Sequence, residues 1–325
     1  MSPAEPAPKF SWPRFLQRRL RFIAVGMPLA CALLLIPSTD WITELLRHFR
    51  LWNAVIGLAT ALLLALLRDW RFAAVSLLAG LWQAWPVWSY SRPVSSATVA
   101  AAPGKSFTLM TCNLLFECRE PDRMIASLRE ANPDVLLLLE FTPQWQTKFK
   151  ESLWNDYPHR VEVPDTGYAG ICLASRLPLE DEKPLLAAYS PAVRAIITVA
   201  GERITLLGVH PAPPMGPDQF AWWRDAFLAW PELLSETGTP HRILLGDLNC
   251  TPFARTFTGI CESTGLRDSA QGFSLTNTWH IKSTFLGLPL DHILISSGLG
   301  VAERTIGPEV GSDHRWVMAK LVPVP

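Results

Sequence analysis

The sequence lacks a charge surplus of either sign: Lys and Arg together number 29 in 325 residues, and so do Asp and Glu. It lacks any CxxC pair, and none of its six cysteines (Cys31, Cys112, Cys118, Cys172, Cys250, Cys261) stands at metal-ligand spacing from a histidine. That excludes a zinc ribbon and a thioredoxin-type redox pair, and it leaves free, mostly buried thiols. Only if the back half is exported does a Cys250–Cys261 bridge become a question. There is no internal repeat, and no low-complexity tract beyond one short linker, so a solenoid array is excluded as well.

The neutral total hides an asymmetry. Residues 1–104 hold 10 basic and 4 acidic side chains, and residues 105–325 hold 19 and 25, so the front is +6 and the back −6. The Pro-rich segment 1–21 carries Lys9, Arg14, Arg18, Arg19 and Arg21. After it come three runs without one charged side chain, 22–39, 51–67 and 72–91. Their 18, 17 and 20 residues compare with the about 17–25 that span hydrocarbon as a helix. Trp41, Trp52, Trp70, Trp82, Trp85 and Trp88 cluster at the run ends, as interfacial aromatics do. A cleaved signal peptide competes for the first run, but two further runs follow it and no small-x-small cleavage site ends it cleanly. The expectation is a transmembrane region over 22–91 in contact with a lipid bilayer. With the N-terminus inside, seven loop Lys and Arg lie on the cytoplasmic side and four (Arg47, Arg50, Arg92, Lys105) outside. Three spans then put the C-terminal domain on the periplasmic or extracellular side of the plasma membrane. Gly80 and Pro86 in the third run leave a two-span arrangement open. Residues 92–105 read as a linker.

Residues 106–325 form the second domain. Its central stretch is Arg242-Ile243-Leu244-Leu245-Gly246-Asp247-Leu248-Asn249, an apolar strand that runs into a glycine turn and then into a carboxylate and an amide. Further strands are expected over 106–115, 134–139, 170–175, 193–199, 204–209, 292–296 and 315–322. Helices are expected over 122–131, after Thr142 as N-cap with Pro143 at N1, and over 219–234. The irregular alternation points to an α+β sandwich rather than a doubly wound parallel sheet.

Polar residues collect at strand ends. Asn113, Glu140, His210, Asp247 and Asn249 follow apolar strands; Asp291, Asp313 and His314 immediately precede them. Singly, each also reads as a cap or a turn residue. Together, at six strand ends, they make an acidic cleft with two imidazoles, suited to a hard divalent cation on oxygen ligands and to a phosphate.

This set resembles the endonuclease/exonuclease/phosphatase superfamily, in a membrane-anchored bacterial branch. The matching pieces are Thr111-Cys112-Asn113, Leu138-Leu139-Glu140, Gly170 to Arg176, Val209-His210, Gly246-Asp247-Leu248-Asn249, Leu290-Asp291-His292-Ile293-Leu294 and Ser312-Asp313-His314. The resemblance implies a four-layer α/β/β/α sandwich with the site at one edge of two sheets. It implies Mg²⁺ or Mn²⁺ on Glu140, with Asn113 and Asp313 nearby, and His314 paired with Asp291 to act on the attacking water or the scissile phosphate. Asp247 would orient or deprotonate water, Asn249 would hold a phosphoryl oxygen, and His210 is a candidate general acid for the leaving oxygen. Tyr168 matches a substrate-contacting tyrosine. Two leucines follow Asn113, so the additional metal-site aspartate of the apurinic enzymes is missing.

The function expected is a membrane-anchored, divalent-metal-dependent phosphoesterase that hydrolyses a phosphodiester or phosphomonoester by water attack. Its substrate would be a nucleic acid, a lipid head group or a small phosphoester. The alternative is a catalytically silent membrane-bound scaffold that keeps the fold for binding.

Overall fold

A computed structural model describes residues 11–36, 40–92, 105–273, 275–279 and 287–324. Most of the expected linker 92–105 and the first ten residues of the basic segment lie outside these. The chain divides into two compact units, the first ending at Ser89 and the second starting at Tyr90.

The first unit is helical: α1 (Trp12–Leu35), α2 (Trp41–His48), α3 (Arg50–Leu66) and α4 (Trp70–Ser91). Many of its large apolar side chains face outward. Phe22, Leu29, Leu35, Leu62, Leu66 and Leu78 are each more than 60% exposed, while Ala24, Ala54, Thr60, Ser76 and Gln83 are buried. Gly57 and Gly80 bring α3 and α4 into backbone contact, since a Cβ on Gly57 would lie 2.8 Å from the Gly80 Cα. Ser76 Oγ donates to the Gly57 carbonyl at 3.0 Å. Among the described residues no single helix is long and apolar enough to cross a membrane; only α2 and α3 pass together, bent by 66°. The sequence runs differ from the helices for visible reasons. α1 starts ten residues before the first run and takes in Arg14, Arg18, Arg19 and Arg21, and α4 carries Gln83, Pro86 and four tryptophans.

The second unit has twelve strands and four helices. In order these are β1 (Phe107–Asn113), α5 (Pro121–Ala131), β2 (Val135–Leu139), α6 (Pro143–Ser152), β3 (His159–Val163), β4 (Ile171–Ser175), β5 (Glu180–Ala187), β6 (Ser190–Val199), β7 (Glu202–Val209), α7 (Pro217–Ser235), β8 (His241–Asp247), α8 (Arg255–Thr264), β9 (Leu266–Asp268), β10 (Asp291–Ser296), β11 (Leu299–Ile306) and β12 (Val317–Pro323). They form two six-stranded sheets, ordered β11-β12-β1-β2-β4-β3 and β5-β6-β7-β8-β10-β9. β1–β2 and β7–β8 are parallel, joined through α5 and α7, and the other pairs are antiparallel.

Period-two alternation divides each strand between two cores. Leu109, Leu137, Leu139 and Leu173 of the first sheet meet Val193, Leu206, Ile243, Leu245, Ile293 and Ile295 of the second, all fully buried. The opposite face of the first sheet, with Met110, Cys112, Leu136 and Leu138, packs under α5 and α6 through Met124, Leu128, Trp145 and Phe149. α7 packs on β5, β6 and β7, and α8 on α7 and β9. Each buried Leu or Ile contributes about 1.5–3 kcal/mol. Thr142 caps α6 by accepting from the Trp145 amide at 3.3 Å, with Pro143 in the first turn. All six cysteines are free thiols, Cys250 and Cys261 included.

One glycine holds the two halves of the second sheet together. Gly246 sits at φ +146°, and a Cβ there would lie 1.9 Å from the Val209 carbonyl oxygen. No side chain fits, so β7 and β8 approach as closely as the parallel register Val209↔Gly246 needs. Gly246→Ala should therefore cost about 3 kcal/mol or more, while Gly259→Ala, in the middle of α8 with open space around it, should stabilise by up to ~1 kcal/mol. Scanning calorimetry of both variants checks this, and equal melting midpoints would contradict it.

Candidate active site

Two parallel strand pairs, one in each sheet, deliver polar residues at their C-terminal ends. Asn113 ends β1, Glu140 follows β2, His210 follows β7 and Asp247 ends β8. β10 runs antiparallel to β8, so its first residue, Asp291, falls at the same end. The register sets Asp247 directly opposite Asp291. Both continue the inward-facing rows Ile243, Leu245 and Ile293, Ile295, so the two carboxylates sit where the inter-sheet core reaches its rim. Each is almost fully buried.

Asp247 Oδ2 is the focus. His314 Nε2 lies 3.6 Å from it, His210 Nε2 3.7 Å, and Asn113 Nδ2 3.4 Å. Its other oxygen accepts from the Asn249 amide at 2.9 Å. His314 spans the two carboxylates: its Nδ1 lies 2.8 Å from Asp291 Oδ2. Since a carboxylate accepts, that nitrogen carries a proton, and Nε2 is left facing Asp247. Burial opposes charge on His314, but Asp291 and Asp247 outweigh it and raise the imidazolium to about 10. Burial likewise opposes ionisation of Asp247, yet the His314 charge, followed by His210, holds its carboxyl below the usual value.

The remaining residues attach to this focus. Asn113 also donates to Glu140 Oε1 at 2.9 Å, and the Phe116 amide donates to Glu140 Oε2 at 2.9 Å. Glu140 takes φ +56°, which turns its side chain out of the strand row and toward Asn113. His210 Nδ1 donates to the Tyr168 carbonyl at 3.1 Å, while the Tyr168 ring is half exposed, so it is this residue's backbone that holds His210. Asn249 Nδ2 donates to the Pro211 carbonyl at 2.9 Å. Asp313 Oδ2 accepts from Trp279 Nε1 at 3.2 Å and adjoins His314 in the chain.

Three supporting residues were given no role by the sequence, although Ser312 and His292 stand inside the matched motifs. Thr278 Oγ1 accepts from the amides of Leu290 and Asp291. Ser312 Oγ donates to the Asn113 carbonyl at 2.8 Å and accepts from the His314 amide, which holds the His314 segment against β1. His292 forms a second buried pair with Asp268 at 2.7 Å, and its Nε2 donates to the Cys250 and Pro289 carbonyls. With acceptors on both sides the His292 ring is doubly protonated. Burial opposes that charge, but Asp268 outweighs it and raises the His292 pKa. This pair anchors the turn that carries Asn249.

A hard cation fits the donor set. Among the described residues, Asp247, Asp291 and His314 bring possible ligand atoms within 4.8 Å of one another. His314 is already committed to Asp291. The expected ligand Glu140 adjoins the group through Asn113, which donates to Glu140 and lies 3.4 Å from Asp247. Asp291 Oδ1 is buried without a hydrogen-bond partner, an oxygen that a cation would satisfy. No thiol lies in the group, which suits oxygen-seeking Mg²⁺ or Mn²⁺ better than a soft metal.

The fold is shared with known proteins. D. rerio TDP2 complexed with a single strand DNA product aligns at TM-score 0.57 and 16% identity, covering 66% of this chain and 98% of that one. The human Nocturnin catalytic domain with bound sulfate anion gives 0.56 at 19%, over 70% and 97%. Sphingomyelinase C from Streptomyces griseocarneus gives 0.53 at 15%, over 66% and 99%. At these identities the likeness is one of fold. No curated protein matches the sequence. Residues 110–314 match the family described as "Endonuclease/Exonuclease/phosphatase family", a span that runs from the first strand of the site to His314 itself. Over more than half its length, and with every strand end of the cleft inside the match, this chain belongs to the endonuclease/exonuclease/phosphatase family.

Proposed function

We propose that this chain is a membrane-anchored phosphoesterase that hydrolyses a phosphodiester or phosphomonoester by water attack with Mg²⁺ or Mn²⁺. The observation that carries the reading is the pair of opposed, buried carboxylates Asp247 and Asp291 with His314 between them. Glu140, Asn113 and Asp313 would hold the cation, which supplies Lewis-acid neutralisation of phosphate charge. Asp291 fixes the His314 ring, so that Nε2 acts on the phosphate or the attacking water. Asp247 orients or deprotonates that water, Asn249 holds a phosphoryl oxygen, His210 protonates the leaving oxygen, and the exposed Tyr168 ring contacts substrate. A single strand DNA product in one structural relative, and the name of sphingomyelinase C in another, support phosphoesters as the substrate class.

Membrane anchoring of 22–91 is supported by the exposed apolar side chains of the first unit. In water, so many exposed Leu and Phe side chains would be a large unpaired apolar surface. In lipid they face their solvent, and the small and polar residues that line the helix contacts are the usual interface. The loop charges favour the second unit on the periplasmic or extracellular face of the plasma membrane.

Turnover on generic phosphoesters, read together with calorimetric metal titration, tests the division of labour. His314→Ala should leave metal affinity near wild type and lower turnover by ~10²–10⁴. Asp291→Asn should behave alike, and the double variant should cost little more than either single. Glu140→Gln should weaken metal binding and be partly rescued by high Mg²⁺. Multiplying losses at His314 and Asp291 would break the dyad. Absence of turnover by the wild type on every phosphoester would favour a silent scaffold.

For topology, a phosphatase reporter fused after Pro325 should be active in the periplasm. An active cytoplasmic reporter at the same position would contradict the three-span arrangement.

A further inference from the structure

A second carboxylate–imidazole pair lies behind the cleft and takes no part in the chemistry described above. Adjacent residues of a strand point to opposite faces, so Asp291 faces the space between the sheets and His292 faces away from it. There the His292 ring packs against Phe257 of α8, with ring centroids 4.7 Å apart. Its Nδ1 donates to Asp268 Oδ2 at 2.7 Å. Asp268 is itself fixed, since it also accepts from the Ala270 amide at 2.9 Å and from the Tyr90 hydroxyl at 2.7 Å. Asp268 is 3% and His292 1% exposed.

Stability alone gives no reason for such a pair. Apolar side chains of the same volume often do as well or better, because desolvation cancels most of the attraction between buried charges. What an apolar side chain could not do here is donate. His292 Nε2 reaches two main-chain carbonyls from different segments, Cys250 at 2.9 Å and Pro289 at 3.1 Å. Cys250 follows Asn249 directly, and Pro289 stands two residues before Asp291. The turn that carries Asn249 needs holding. Asn249 takes φ +50°, a left-handed conformation that a residue with a Cβ adopts only at a cost. Trp223 Nε1 holds the Leu248 carbonyl at 2.9 Å, and the Leu248 amide donates to the Leu290 carbonyl at 3.0 Å. His292 adds the Cys250 carbonyl and joins it, through one nitrogen, to the entry of β10.

We propose that His292, oriented by Asp268, is a positioning residue for the hydrolytic site: its Nε2 clamps the Asn249 turn to the entry of β10 and so fixes Asn249 and Asp291 relative to each other. The inference rests on the phosphoesterase reading above and adds to it a residue that acts only through others. Asn249 is the group that holds a phosphoryl oxygen in that reading, and a misplacement of about 1 Å in such a group can cost about 10²-fold in rate.

The two ring nitrogens separate positioning from packing. Glutamine brings its amide nitrogen near the place of Nε2, and asparagine brings its own near the place of Nδ1. His292→Gln therefore keeps a donor on the two carbonyls and gives up Asp268, while His292→Asn keeps Asp268 and gives up the carbonyls. Each loses one arm of a buried polar group, so melting temperature should fall in both. The full-length protein is assayed with Mg²⁺ on bis(p-nitrophenyl) phosphate. His292→Asn should lower kcat about tenfold or more with KM within about twofold, and His292→Gln should keep kcat within about threefold of wild type. In an Asn249→Ala background, His292→Asn should cost no more than about a further twofold, because the residue it positions is gone. Equal kcat in the two His292 variants, or losses that multiply with Asn249→Ala, would overturn the positioning role and leave the phosphoesterase reading standing. If circular dichroism shows either His292 variant unfolded, Asp268→Ser, which keeps the ring but removes its orienting partner, decides instead. A kcat about threefold or more below wild type with KM held is then expected, and a wild-type kcat would overturn the role. No turnover by the wild type on this or any other phosphoester would remove both readings.

Discussion

Two carboxylates cannot face each other across adjacent strands in a dry protein rim unless positive charge lies between them. Asp247 and Asp291 do face each other, and His314 is the charge that the chain itself provides. Much of the second unit serves this arrangement. The antiparallel entry of β10 brings Asp291 to the ends of the parallel strands. The Gly246 turn lets β7 and β8 close on each other, and Ser312 holds the His314 segment against β1. Removing one member of a buried charged set costs several kcal/mol, because its partner is left uncompensated.

The strands inside the sheets were legible in the sequence, and the edge strands were not. β1, β2, β4, β6, β7, β8, β10 and β12 lie between two neighbours and read as apolar runs. β3, β5, β9 and β11 are the four sheet edges. β5 begins Glu180-Asp181-Glu182-Lys183 and is mostly exposed, as edge strands that avoid further pairing tend to be. Charge-rich sequence of that kind reads as loop. The site followed the same logic. A polar residue that ends an apolar strand is conspicuous, which is why Asn113, Glu140, His210, Asp247 and Asp291 stood out. Thr278 and Asp268 sit beside no long apolar run, and their partners come from distant segments, so only the folded chain reveals them. The Tyr168 ring, by contrast, is not among the hydrogen-bonded groups of the network; its carbonyl is.

The first unit shows what counting charge-free residues leaves out. The three runs became α1, α3 and α4, but with shifted limits, and α2 was unforeseen. Tryptophan, glutamine and serine carry no charge and still lower mean hydropathy, so the runs satisfy a charge criterion while no single described helix satisfies an apolarity criterion. The burial pattern adds what neither criterion contains, namely which side of each helix is apolar. Leu62, Leu66 and Leu78 point outward while Thr60, Ser76 and Gln83 point inward, beside a small apolar cluster of Leu20, Ala24, Leu64 and Ala73.

The proposed activity requires the strand-end cluster to be a hydrolytic centre that works only with a hard cation. The direct measurement is turnover of bis(p-nitrophenyl) phosphate by the full-length protein after divalent cations are removed, followed by their return one at a time. Activity should fall to background in chelator, and Mg²⁺ or Mn²⁺, but not Zn²⁺, should restore it. Undiminished turnover in excess chelator would contradict the account.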